Sequence, residues 1–136
     1  MYHEISIVGN LGGDPEMRYT PDGTPVTNFS VAANRRWTNS DGSRGEETVW
    51  FRVTAWKRQA ETCAQYLKKG RQVFVKGTLK PDKATGQPRI WTGQDGVARS
   101  SYEITAKQVL FLGGRNESVN EEDGLEAGSM EDEIPF

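Results

Sequence analysis

The chain predicts an all-β domain interrupted by one helix and followed by an acidic tail, and three observations carry that prediction. Apolar and polar residues alternate with period two in five separate stretches, the pattern of half-buried strands. Only one stretch, "RQAETCAQYLKKG", spaces its apolar residues at helical intervals. Charge is also divided: residues 1 to 115 hold all 17 Lys and Arg against 11 acids, a net of +6, whereas residues 116 to 136 hold 8 acids and no base. The sequence pI of about 5.5 averages a basic body with an acidic tail.

The first strand is "HEISIVG", ended by the turn-rich "NLGGDP". The second, "TPVTNFSVAAN", sets Phe29, Val31 and Ala33 on one face and Asn28, Ser30 and Ala32 on the other. After the polar loop "TNSDGSRGEE" comes "TVWFRVTAW", where alternation separates Val49, Phe51, Val53 and Ala55 from Trp50, Arg52, Thr54 and Trp56. The helix places Ala60, Cys63, Ala64 and Leu67 on one face, with Gly70 expected as its C-terminal cap after Lys68 and Lys69. In "RQVFVKGTLK", Val73, Val75 and Leu79 oppose Phe74, Lys76, Thr78 and Lys80, and Gly77 predicts a bulge or bend. Residues 81–100, polar and carrying Trp91, read as an extended hairpin or loop before the last strand, "YEITAKQVLFLG".

Three strands, one helix and two strands, with the helix between strands 3 and 4, is the order of a five-stranded OB-fold barrel. A β-sandwich would need about seven strands. The expected organisation is a barrel domain over 1–112, a flexible acidic linker over 113–130 and a separate tip over 131–136. The tail from Gly113 has few large apolar residues and no periodicity, so it is expected to be disordered.

Enzyme chemistry finds no footing in this composition. There is one His3, one Cys63 without a second histidine to activate it, and no Gly-rich loop followed by Lys-Ser or Lys-Thr. Cys63 reads as a core residue, "GGDPE" as a turn, and the body's acids as scattered loop residues unsuited to a metal site. No cofactor is expected. The opening residues have no secretion signal, and no apolar run approaches the ~20 residues of a spanning helix, so the reading is cytoplasmic with no membrane contact.

The aromatic and basic residues point elsewhere. The opposite face of the third strand is already filled by core residues, so Trp50 and Trp56 are expected outside, together with Arg52. Indoles alongside cations suit unpaired nucleic acid, whose bases stack and whose phosphates need positive charge. Trp37 follows Arg35 and Arg36, and Trp91 follows Arg89, so every indole has a base within two positions. Stacking accepts any base, so little sequence preference is expected. No basic recognition helix is present for reading a duplex.

The chain resembles bacterial-type single-stranded DNA-binding proteins. The likeness runs through "VGNLGGDPEMRYTPDGTPVTNFSVA", "VWFRVTAWKRQAE", "YLKKGRQVFVKGTL", "YEITAKQVLFLGG" and the final "EDEIPF". The resemblance implies a homotetramer of OB domains that binds single-stranded DNA in replication, recombination and repair, in the bacterial cytoplasm at the nucleoid. Stacking residues are implied at Trp37, Trp50 and Trp91, with Trp56 where relatives often carry Phe. Arg52, Arg58, Lys69, Lys80 and Arg89 match or lie near basic positions that contact the backbone. Arg35, Arg36, Phe74 and Lys76 complete the expected DNA-binding set.

The tail ends on Glu131, Asp132, Glu133, Ile134, Pro135 and Phe136. Solubilisation alone gives an aromatic residue no role there. A docking peptide does: a ring for an apolar pocket and acids for a basic rim. The resemblance agrees, implying recruitment of replication, recombination and repair proteins through this tip.

Overall fold

The computed structural model describes residues 1–113. The linker from 114 and the tip Glu131 to Phe136 lie outside the described residues. Eight strands and one helix follow in order: β1 (Ile5–Leu11), β2 (Glu16–Tyr19), β3 (Pro25–Thr38), β4 (Arg44–Trp56), α1 (Lys57–Tyr66), β5 (Gln72–Leu79), β6 (Ile90–Thr92), β7 (Ala98–Ser100) and β8 (Tyr102–Leu112).

Five of these, β1, β3, β4, β5 and β8, close a barrel. The sheet runs β1-β5-β8-β4-β3-β2, and β1 pairs back to β3 through Asn10 with Ala32 and Leu11 with Val31. All barrel pairings are antiparallel except β4 with β8, which is parallel from Phe51–Tyr102 to Thr54–Thr105. In barrel order the helix falls between the third and fourth strands, the OB arrangement.

The interior is built from the strand faces that alternation assigned to it. Phe29, Val31, Val53, Ala55, Val73, Val75 and Ile104 are buried, with Ile7 and Leu11 from β1. Helix α1 closes the barrel by burying Ala60 and Cys63, and Leu67 follows just beyond it. Buried Thr27 donates its hydroxyl to the Ala60 carbonyl at 2.7 Å, so the polar group beneath the helix is satisfied.

Three local expectations change. The helix ends at Tyr66, because Leu67 adopts extended backbone and its N–H takes the Cys63 carbonyl. Gly70, expected as the cap, serves the following turn instead, at φ 89°, with its N–H on the Leu11 carbonyl. The short strand β2, whose residues are all exposed, lacks an alternating apolar face and escaped the sequence pattern. Residues 81–100 carry a hairpin, β6 with β7, as a separate two-stranded sheet. The irregularity predicted at Gly77 is present: the β5–β8 register shifts between Lys76 and Gly77, where a Cβ would meet the Thr105 carbonyl.

Strands β3 and β4 continue beyond the barrel as an arm, paired from Val26–Trp56 out to Thr38–Arg44. The arm's turn is held by Asn39 N–H to the Ser43 carbonyl at 2.7 Å and by Gly42 at φ 88°. Asp41 accepts from the Ser43 N–H at 2.9 Å and its hydroxyl at 2.6 Å. These bonds, the hydroxyl first, hold the Asp41 carboxyl below its ordinary value.

Candidate nucleic-acid interface

Register arithmetic assembles the outer face of the barrel. Across β3–β4, Ala32 pairs with Trp50, Ser30 with Arg52, Asn28 with Thr54 and Val26 with Trp56, so these eight side chains share one surface. β2 extends it by pairing Glu16 with Asn28 and Arg18 with Val26. On the other side, β8 sets Glu103 beside Arg52 and Thr105 beside Thr54. Thr54 donates to Asn28 Oδ1 at 2.9 Å, fixing the middle of the grid.

Trp50 is 53 % exposed and Trp56 41 %, far more than core indoles on a filled barrel would be. Small and polar partners across the strand leave room above them. Gly12, just after β1, lies against Trp50, and a Cβ there would come within 2.5 Å of Cζ3 of the ring. On this face lies an open cleft of about 300 Å³ lined by Gly12, Asp14, Asn28, Ser30, Trp50 and Arg52 among others. The Lys69 backbone N–H donates to Asp14 Oδ1 at 2.9 Å, bringing the loop after α1 to the edge of this cleft.

Trp37 stands apart from that grid. Strand alternation gives it the face of β3 that Phe29 and Val31 use inside the barrel, and it stays 37 % exposed because the arm has left the barrel. Its indole lies against Gly45, where a Cβ would collide with the ring, and its N–H donates to Asn39 Oδ1 at 3.0 Å. The Arg35 guanidinium sits 4.8 Å from the ring centroid and pairs with Glu47 at 3.1 Å. Arg36, on the opposite face, pairs with Glu46 at 3.5 Å.

Trp91 is half-buried on β6, with Arg89 stacked 4.7 Å from its centroid. Arg58 is on α1, over a second cleft of about 370 Å³ floored by Cys63, Val109 and Phe111. Lys80, exposed, gives its backbone N–H to the Glu103 carbonyl at 2.8 Å, next to the grid. Two expected residues lie on the outer face of other strands. Phe74 and Lys76 belong to the outer side of β1–β5–β8, where Phe74 pairs with Val8 and Leu110, and Lys76 with Ser6 and Gln108. Lys76 is ion-paired to Glu4 at 3.7 Å. Phe74 is only 8 % exposed, so it packs on this surface and little of its ring is open to a base.

The expected cations therefore fall into two groups. Arg35, Arg36, Lys76 and Arg89 have carboxylate partners. Arg52, Arg58, Lys69 and Lys80 have none among the described residues. Sequence reading missed Asn28, Ser30 and Glu103, which gain meaning only from cross-strand neighbours, and Gly12, which does so from the Trp50 ring lying on it. Cys63 is buried and desolvation pushes its thiol up to about 12, so it is a packing residue. His3 accepts from the Leu79 N–H at 2.9 Å, and no cluster of potential metal ligands occurs among the described residues. No helix among them is long and apolar enough to cross a membrane.

Against known proteins, a model described as the Single-strand binding protein family matches residues 2–112. A protein of Neisseria meningitidis serogroup A named "Single-stranded DNA-binding protein" is 41 % identical over 116 residues, covering 85 % of this chain and 63 % of the relative. One of the same name from Xanthomonas axonopodis pv. citri is 40 % identical, covering 85 % of this chain and 60 % of the relative. "Single-stranded DNA-binding protein 1" of Xylella fastidiosa is 38 % identical, covering 85 % and 81 %. The chain thus spans less than two thirds of the Neisseria and Xanthomonas relatives.

Proposed function

Since the chain belongs to the Single-strand binding protein family, we propose that it binds single-stranded DNA without strong sequence preference, as a binding protein and not an enzyme. The observation that carries this is the Trp50, Arg52 and Trp56 surface, two exposed indoles flanking a guanidinium with no ion-pair partner among the described residues, above a filled core. Trp50 and Trp56 stack bases, Arg52 and Lys80 meet phosphates, and Lys69 does so at the cleft edge. Trp37 on the arm and Trp91 on the hairpin extend the path, each with its own arginine.

The wider role in replication, recombination and repair, and location in the bacterial cytoplasm, follow from this reading. So does recruitment of partner proteins through Glu131, Asp132, Glu133, Ile134, Pro135 and Phe136, which rests on the sequence chemistry of that tip. Assembly as a homotetramer is supported by β1. Among the described residues, its Ile5 to Val8 pair with β5 on one edge only, leaving the other edge for a second chain.

The test is tryptophan fluorescence during titration with oligo(dT), at low and high salt, with matched duplex DNA as control. Strong quenching by the single strand that survives salt is expected. An equal response to duplex, or binding lost entirely in salt, would refute stacking as the basis of binding.

A further inference from the structure

We infer that Glu103 is a positioning residue for single-stranded DNA, holding Arg89 and through it the Trp91 hairpin in place; this rests on the function proposed above. The starting point is an apparent contradiction. A surface that meets phosphates has a carboxylate beside Arg52, in register on β8, with its side chain only 10 % exposed. Left unoccupied, that charge would repel the ligand.

One oxygen of the carboxylate is engaged three times over. Oε2 of Glu103 accepts from Arg89 Nε at 3.3 Å, Arg89 Nη2 at 3.2 Å and the Ser101 hydroxyl at 3.0 Å. The same guanidinium carbon sits over the Trp91 ring, 4.7 Å from its centroid. One arginine thus joins barrel to indole, bonded to Glu103 and seated over the ring.

The hairpin depends on this tie. β6 and β7 pair only with each other. The remaining side-chain hydrogen bonds of residues 81–100 stay inside the segment: Asp82 with Ala84, Thr85 with Gln87, and Asp95 with Val97 and Arg99. Among the described residues, Arg89 to Glu103 is the side-chain hydrogen bond that crosses from hairpin to barrel. A guanidinium has five N–H donors, so with Nε and Nη2 turned to Glu103, the Nη1 end remains for a phosphate. Glu103 therefore sets where Trp91 is offered and which way Arg89 points.

The experiment compares wild type, Glu103→Ala and Glu103→Gln, each also in a Trp91→Ala background, by oligo(dT) titration. Glu103→Ala should weaken binding on the order of ten-fold, the scale of hydrogen bonds to a charged group. Glu103→Gln, which keeps an acceptor oxygen, should recover most of it. In the Trp91→Ala background the Glu103→Ala effect should shrink to within about two-fold, as coupled residues require. Unchanged or tighter binding by Glu103→Ala, or the same loss in both backgrounds, would overturn the proposal. In DNA-free protein, amide exchange across 90–100 should quicken in Glu103→Ala and in Arg89→Ala, which breaks the contact from the exposed side. Unaltered exchange in Arg89→Ala would overturn it even if Glu103→Ala failed to fold. If wild type itself ignores oligo(dT), the proposed function falls and this role with it, whereas binding by wild type with insensitivity to Glu103 refutes the positioning role alone.

Discussion

A single missing Cβ decides how Trp50 is presented. The ring lies on Gly12, so Gly12→Ala must push the indole away while leaving it in the sequence. Oligo(dT) affinity should fall toward that of Trp50→Ala, a loss of about 1–3 kcal/mol for one stacked base, and wild-type affinity in Gly12→Ala would show that the ring needs no such floor. Cys63 offers a second check at this scale. With the folded thiol pushed up to about 12 by burial, it should resist alkylation at mildly alkaline pH and react once the protein is unfolded. The raised value also sets a sign: the contribution to stability is full below the ordinary thiol value of 9.0 and is lost as pH rises toward the folded one. The sequence alone placed Cys63 in the core and Trp50 outside it, because strand and helix periodicity assign faces. It could not reveal Gly12, whose partner is distant along the chain.

At the level of elements, the β3–β4 arm and the β5 bend rest on particular backbone demands. Gly42 at φ 88° turns the arm, so Gly42→Ala should cost on the order of 1 kcal/mol. Gly77→Ala should cost more, since its Cβ meets backbone of β8 that cannot move aside cheaply, and thermal melting compares the two directly. A melting temperature unchanged by Gly77→Ala would contradict the close approach. The arm also has a pH signature. Because the Asp41 carboxyl is held below 3.8 by Ser43, its stabilising contribution is present above that value and fades as pH falls through the folded one. Asp41→Asn should flatten this part of the acid dependence of the melting temperature. The five barrel strands were legible because each has an apolar face. β2 was not, since all four of its residues are exposed and pairing with β3 alone defines it. The helix end was misjudged for a related reason: Gly70 has the right chemistry for a cap, but its N–H is committed to Leu11 on β1, a contact sequence spacing does not show.

For the whole molecule, charge is the governing quantity. Each phosphate neutralised by a free cation contributes about 0.7 to the salt slope of single-strand binding. Arg52→Gln should therefore lower the slope by about that amount, while Lys76→Gln, removing a cation already paired to Glu4 on another part of the barrel, should barely change it. Equal changes in the two variants would dissolve the division of the cations. The body's +6 faces 8 acids in residues 116 to 136. Deleting those residues should strengthen DNA binding most at low salt, where screening is weakest, and identical salt slopes with and without them would remove the tail as a competitor. Periodicity, composition and charge division by themselves determined the barrel order, the filled interior, the outward Trp50, Arg52 and Trp56, and the acidic end, because each is a property of residues near one another in the chain. Only the tertiary structure decided that Phe74 is packed, that the indole of Trp37 lies on Gly45 out on the arm, and that Glu103 stands beside Arg52 on the neighbouring strand. Those outcomes depend on which strands lie side by side and in what register, and register is set by the closure of the whole barrel.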